Sequence, residues 1–244
     1  MRNFKKKSLH LAWTSQLGQD KWVASILGGE RYFVDIGAAD GVRMSNTYVL
    51  EKCFGWRGLC VEPSDDFQML RQVRNCLVDN SCVADSSNST VDFQIDSQDR
   101  IFSGIADSVG LHVGRSGNIV RKQTTALTQL LDRYECPHVI DYLSLDTEGS
   151  EYLILKNMDF KRYCFRLITV EHNFEEPKRT HLFELLSSRG YSRVLTVSHD
   201  DWYVLPRYLS SCQLLKVRAR QLASYVPPRW RPKIRRLAAS IGFH

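Results

Sequence analysis

Acidic residues close several apolar runs in this chain, and their order describes one ligand. The stretch FVDIGAADG places Asp35, Gly37 and Gly41 where a buried strand runs into a turn. A carboxylate in such a place is costly unless something pairs with it. Two glycines let the backbone approach a ligand closely, and a following helix offers free N–H groups to an anion. The spacing is D-x-G-x-x-x-G rather than the G-x-G-x-x-G of a dinucleotide-binding turn, which argues against a nicotinamide-dependent dehydrogenase. A ligand with an amino acid end suits it better, its ammonium on Asp35 and its carboxylate on backbone N–H groups. Glu62, 27 residues further on, closes a second strand, where a carboxylate accepts both ribose hydroxyls. Asp85, after a third short strand (SCVAD), is placed to accept from an adenine amino group. A nucleoside joined to an amino acid is S-adenosyl-L-methionine.

A second group of polar residues follows two later apolar runs: Asp146, Glu148 and Glu151 in LDTEGSE, then Glu171, His172 and Asn173 in VEHNF. Methyl transfer to an alcohol needs alignment of donor and acceptor and removal of the hydroxyl proton. His172 is the expected general base, with Asp146 or Glu171 orienting its second nitrogen. The alternative sets a divalent cation, Mg²⁺ or Ca²⁺, among Asp146, Glu171 and Asn173. Glu148 and Glu151 equally suit the first turn of a helix. The place after the fourth strand lacks the [ND]-P-P-[YF] run of many enzymes that methylate nitrogen, so an oxygen acceptor is expected.

The elements that must position these groups alternate. SQLGQDKWVASIL has Trp22, Val23, Ile26 and Leu27 at helical spacing, with Ser15 as the expected cap. Strand-like RYFVDIG, helix-like SNTYVLEKCF, strand-like GWRGLCVEPS and helix-like SDDFQMLRQVRN follow, then SCVAD and an alternating STVDFQI. Residues 97–118 read as a long loop or insertion, rich in Gly, Ser and Asp. After IVRKQ come a helix (TALTQLLDRY), an apolar strand (HVIDYLSLD), a helix (SEYLILKNM), a strand (CFRLITVEHNF), a helix closed by Gly190, and a final hairpin of SRVLTVS with DWYVLP. Strands apolar throughout and separated by helices predict an α/β fold with a mostly parallel sheet, covered on both faces and ending in an antiparallel hairpin.

Composition adds bounds. A chain of 244 residues, 43% hydrophobic and 25% charged, has the make-up of a globular domain with appendages. Its seven cysteines are scattered and never spaced as C-x-x-C, so a reducing cytoplasm is expected and neither a disulfide framework nor a zinc site is. No apolar run approaches the ~18 residues of a membrane span. No acidic residue follows Asp201, whereas nine basic residues do, leaving 24 basic against 27 acidic residues before that point. Such a tail stays solvated or touches an anionic surface, whether nucleic acid, lipid or an acidic partner. In KIRRLAASIGF, Ile234, Leu237, Ile241 and Phe243 fall roughly together on a short helix, while Pro227, Pro228 and Pro232 break any longer one.

FVDIGAADGVRMSNTYVLEKCFGWRGLCVEPSDDF, CVADSSNSTVDF, LSLDTEGSEYLILKNMDF and ITVEHNF resemble the FkbM-type methyltransferases, a branch of the class I S-adenosylmethionine-dependent enzymes; SQLGQDKWV resembles a segment of many members. The likeness covers roughly residues 15–205. It implies a Rossmann-like, doubly wound, seven-stranded sheet with an antiparallel last strand, and O-methylation of a hydroxyl on a sugar, glycan or glycosylated metabolite. By the same likeness Asp35, Gly37 and Gly41 surround the methionine part, Glu62 holds the ribose and Asp85 lies near the adenine, with Asn46 and Gln19 as further assignments. The implied organisation is a basic segment (1–14), a methyltransferase domain (15–206) and a basic tail (207–244). Two other readings are a methyltransferase fold that has lost catalysis and serves as a scaffold, and a nucleic-acid methyltransferase guided by the tail.

Overall fold

The computed structural model describes residues 12–108 and 117–225. In chain order these form α1 (Gln19–Leu27), β1 (Tyr32–Ile36), α2 (Tyr48–Phe54), β2 (Arg57–Val61), α3 (Phe67–Val73), β3 (Leu77–Asp79), β4 (Cys82–Ala84), β5 (Thr90–Asp96), β6 (Gly104–Ile105), β7 (Gly117–Ala126), α4 (Leu127–Arg133), β8 (Val139–Leu145), α5 (Glu151–Lys156), β9 (Cys164–Glu171), α6 (Lys178–Ser188), β10 (Ser192–Val197), β11 (Asp200–Val204) and α7 (Ser211–Tyr225).

Seven strands make the main sheet, in the order β10-β11-β9-β8-β1-β2-β3. The pairs β1–β2, β2–β3, β1–β8 and β8–β9 are parallel, whereas β11 is antiparallel to both β9 and β10. The expected hairpin is therefore present. Its edge strand β10 runs with the rest of the sheet, and β11 alone opposes them.

The central strands β1, β2, β8 and β9 are largely apolar because both faces are buried. Val34, Ile36, Leu59, Val61, Leu143 and Leu145 pack on one side with Leu130, Leu131, Ile154, Leu155, Leu182 and Leu186 of α4, α5 and α6. Phe33, Cys60, Tyr142 and Leu167 point the other way, toward Trp22, Val23 and Ile26 of α1, Leu50 of α2, Leu70 of α3 and Val217 of α7. The chain runs outward through β1, β2 and β3, then returns to add β8 on the other side of β1. That reversal opens a crevice at the carboxyl ends of β1 and β8.

Two expectations change. The third strand of the main sheet is Leu77–Asp79, not SCVAD. Cys82–Ala84 instead pairs in parallel with β7 in a second sheet, β4-β7-β5-β6, which has its own small core of Cys82, Ala84, Phe93 and Ile105. Both segments are short and apolar, so periodicity does not rank them. The expected loop 97–118 contains a 3₁₀ turn at Arg100–Phe102 and β6; its residues 109–116 lie outside the described ones. Ser15 is not the cap of α1, which starts after Gly18, although its hydroxyl donates to Asp20 at 2.5 Å.

Beneath the loop between β1 and α2 lies Arg74, 5% exposed. It donates through Nε to Glu51 Oε2 (2.6 Å), through Nη1 to the Gly41 carbonyl (3.2 Å) and through Nη2 to Thr47 Oγ1 (3.0 Å). Burial opposes ionisation of Glu51, but Lys52 and Arg74 outweigh it and hold the carboxyl down at about 2. Lys52 still pairs with Glu51 at 2.8 Å when Arg74 is removed, but the Gly41 carbonyl and Thr47 lose a buried donor. Arg74→Met is therefore expected to lower unfolding stability by about 1–3 kcal/mol in denaturant titration. A loss below 1 kcal/mol would show that the pair is not the anchor of this loop.

Candidate active site

A cavity of about 300 Å³ opens at the carboxyl ends of β1, β2, β8 and β9, with the second sheet as one wall. That volume is within the range of small-molecule sites. Asp35, Gly37, Asn46, Glu62, Asp146, Glu171 and Asn173 all line it, as does Gln19. Three other expected residues do not: Gly41, Asp85 and His172.

At the β1 end, Gly37 has φ +87°, and a Cβ there would lie 1.7 Å from the Asp146 carbonyl oxygen. Only glycine permits this left-handed turn so close to the next strand's loop. The Gly37 and Ala38 N–H groups both donate to the Val61 carbonyl at 3.0 Å, which binds the turn to β2. Glu62 accepts from Ala39 N at 2.8 Å through Oε2 and from Ser64 N at 2.8 Å through Oε1. Burial nevertheless raises its pKa. Asp35 is 3% exposed and accepts from Thr47 Oγ1 at 2.6 Å; burial raises it, against the pull of Thr47 and Arg74.

Gly41 is a packing glycine. A Cβ there would meet Leu70 Cδ1 at 2.6 Å and Arg74 Cγ at 3.0 Å, so it sits over α3 and its carbonyl serves Arg74. Asp85 lies beyond the end of β4 on the α5 side, with its carboxylate 3.7 Å from Lys156 Nζ and its carbonyl accepting from Asn157. The wall there is apolar instead, formed by Val83, Phe93, Phe102 and Ile105.

His172 turns away because successive residues leaving a strand point to opposite faces. Glu171 enters the cavity, while His172 is 4% exposed on the other side. Its Nδ1 accepts from Phe174 N at 3.0 Å, and Nε2 stands 3.8 Å from Asp201. Burial lowers its pKa despite Asp201, so the imidazole is neutral and serves as a clamp on the 172–174 turn.

The imidazole that does line the cavity is His199. It sits in the tight turn joining β10 to β11, which the antiparallel course of β11 returns to the carboxyl ends of its neighbours. Its Nε2 is 3.9 Å from Glu171 Oε1 and 4.0 Å from Asp200 Oδ1, and the Ser198 hydroxyl lies 3.3 Å from Nδ1. Gln19 Nε2 donates to Asp200 Oδ2 at 2.8 Å and ties this turn to α1. Sequence reading found the hairpin but not the position of its tip.

Oxygens of Asp146, Glu148 and Glu171 all lie within 4.8 Å of one another, as do ligand atoms of Glu171, His199 and Asp200. Either set is compact enough for a divalent cation. Asn173 is oriented as a donor, with Nδ2 2.7 Å from Glu171 Oε2 and 3.4 Å from Glu148 Oε2, and not as the expected oxygen ligand. Burial, then the charge of Asp200, pushes Asp146 up to about 7; burial, then Asp146, pushes Glu171 well above the carboxylate range. Glu151 takes the structural role weighed for it, its Oε1 accepting from Thr147 N, Thr147 Oγ1 and Gly149 N at 2.8–3.1 Å.

The sequence profile described as "Methyltransferase FkbM domain" matches residues 35–193. The chain belongs to this family. Members of this family are S-adenosylmethionine-dependent methyltransferases, and the match spans the strands that carry or run into Asp35, Glu62, Asp146 and Glu171. No curated protein sequence matches the FkbM chain. Solved structures similar to it include the METTL16 methyltransferase domain (13% identity, TM-score 0.42, 76% of this chain and 63% of that one). A precorrin-6y C5,15-methyltransferase from Geobacter metallireducens shares 12% identity at TM-score 0.42, covering 80% and 93%. TrmK of M. capricolum, in complex with S-adenosyl-homocysteine, shares 14% identity at TM-score 0.40, covering 80% and 68%. The FkbM chain thus spans less than two thirds of the METTL16 domain, and likeness of this degree says nothing about its acceptor.

Asp146 has a pH signature. Its folded pKa of about 7 lies above the ordinary unfolded value of about 4, so between those limits the folded chain holds a proton that the unfolded chain has released. Stability from that proton is complete below about pH 4 and lost as pH rises through about 7. Compared with Asp146→Asn, the wild type should lose thermal midpoint steadily from about pH 4 to about pH 7 and level off above that. A midpoint difference independent of pH would remove the raised pKa.

Proposed function

We propose that this chain is a Rossmann-like class I enzyme that transfers a methyl group from S-adenosylmethionine to a hydroxyl of a sugar, glycan or glycosylated metabolite. The observation that carries the reading is one continuous cavity with two chemically different ends. One end has the Gly37 turn, Asp35 and Glu62, beside the apolar wall of Val83, Phe93, Phe102 and Ile105. The other has Asp146, Glu171, Asn173 and His199. The donor, when bound, supplies an electrophilic methyl on a positively charged sulfur. The chain's own task is to hold the two reactants in line and exclude water.

In this reading Glu62 takes the ribose hydroxyls, and Asp35 with the backbone of the Gly37 turn takes the amino acid end. The adenine is assigned to the apolar wall, in place of the expected Asp85. His199 takes the base role first assigned to His172. Its Nε2 stands beside Glu171 and Asp200, and the imidazolium formed when it accepts the acceptor's proton favours the ionised form of these raised acids, which then balance its charge. A hydroxyl acceptor is favoured because an alcohol requires such a base at neutral pH. The compact oxygen set of Asp146, Glu148 and Glu171 supports a cation-assisted second reading, in which chelator treatment would abolish turnover.

Calorimetric titration with S-adenosylhomocysteine tests the first half. Binding is expected in the wild type and about 10-fold or more weaker in Glu62→Gln, the loss of charge-assisted hydrogen bonds to two hydroxyls. No binding by the folded wild type would sink the methyltransferase reading in favour of a scaffold. Methyl transfer to a panel of hydroxylated sugars, with and without EDTA, tests the second half. His199→Gln should lower kcat by about 10²-fold or more with S-adenosylhomocysteine affinity retained. An unchanged kcat would exclude His199 as the base.

A further inference from the structure

α7 carries two unlike faces. Leu214 and Val217 point inward and pack with the core cluster containing Trp22 and Val194, and the helix lies against α1 and β10. About a third of a turn around the axis, Leu215, Ala219 and Leu222 form a stripe, since positions i, i+4 and i+7 fall on one side of a helix. Leu215 and Leu222 are 59% and 69% exposed, and the thiol of Cys212, one turn before Leu215, is exposed as well. Arg218 borders the stripe on one edge and Lys216 and Arg220 on the other, all three exposed. The segment that continues this helix in sequence, beyond the described residues, adds Arg229, Arg231, Lys233, Arg235 and Arg236 without a single acid.

We propose that α7 docks the chain on an anionic lipid surface, with Leu215, Ala219 and Leu222 seated at the boundary of headgroups and acyl chains and Lys216, Arg218 and Arg220 among the headgroups. Charge complementarity selects this occupant. The nine basic residues after Asp201 have no acid among them in sequence, whereas the first 201 residues are mildly acidic in sum, and on α7 itself Lys216, Arg218 and Arg220 are exposed beside the apolar stripe. An apolar stripe bordered by Lys and Arg is the pattern of a helix lying in a membrane interface. A second copy of the chain would bring Lys216, Arg218 and Arg220 against their like. Nucleic acid phosphates would use the arginines and leave the two leucines in water. No helix among the described residues is long and apolar enough to cross a membrane, so the contact is attachment at the surface. This proposal does not rest on the methyl-transfer reading.

Vesicle flotation of the full chain at about 0.1 M salt tests it, where exposed charges still act over about 10 Å. The chain should float with phosphatidylcholine vesicles containing about one-third phosphatidylserine and stay behind with phosphatidylcholine alone. Bound protein should fall by about tenfold or more in Leu215→Glu/Leu222→Glu and in Arg218→Glu/Arg220→Glu. Both variants replace exposed side chains, and circular dichroism melting matched to the wild type would show that they fold. Three results would overturn the proposal: no flotation of the wild type, equal flotation with neutral vesicles, or unchanged flotation of the double leucine variant. Binding to single-stranded RNA that exceeds vesicle binding and is unaffected by the leucine changes would replace lipid with nucleic acid as the partner.

Discussion

A buried guanidinium holds the β1 end of the cavity together. Arg74, carried past the end of α3, places its donors under the loop that leaves β1, reaching Glu51, the Gly41 carbonyl and Thr47. Thr47 in turn donates to Asp35. The loop from Gly37 to Thr47 has little regular structure and cannot satisfy its own polar groups. Arg74 supplies the missing donors from below, which leaves the upper side of the loop free to face the cavity. Gly41 makes this possible by its lack of a side chain, since a Cβ would occupy the space of Leu70 and the Arg74 stem.

The far end of the cavity is governed by the cost of burying like charges. Glu171, Glu148 and Asp200 are buried beside Asp146, so the site gathers four acids at one end of the cavity. Two carboxyls so close do not both ionise readily in a dry site. Burial and mutual repulsion raise Asp146 and Glu171, and amide donors from Gln19 and Asn173 bind part of what remains. The sheet explains why such a cluster exists: the switch point between β1 and β8 brings the ends of several strands together. An acid after each strand becomes a cluster only through that topology. The hairpin adds His199 because β11 runs against its neighbours and so delivers a turn to the same edge.

The second sheet supplies what the main sheet lacks, an apolar side wall. Phe93 and Ile105 belong to its small core and also line the cavity. Arg43 pairs with Asp99, and Arg100 with Asp66 at 3.2 Å, linking the 99–102 segment to the β1 loop and to the start of α3. These are exposed pairs of small individual worth, and their role is to set position more than to stabilise.

The order of elements, the α/β class and most of the acids at the cavity were legible in the sequence, because each rests on local facts. Apolar runs without alternation demand burial on both faces, helical spacing marks α1, and an acid after a strand is visible as such. Asp35, Gly37, Glu62, Asp146 and Glu171 line the cavity for that reason. Gly41, Asp85 and His172 do not, and each departs through a tertiary circumstance: α3 packed beneath a turn, a strand assigned to a second sheet, and a side chain on the opposite face from Glu171. His199 and Arg74 carried no local mark. One is a turn residue 28 positions from Glu171 and the other ends a helix 39 positions from Asp35. Only strand order and helix packing bring them to the acids. Chain composition determined which elements form and what chemistry they carry; the three-dimensional arrangement decided which side chains share a face, because facing depends on register and packing that no single segment contains.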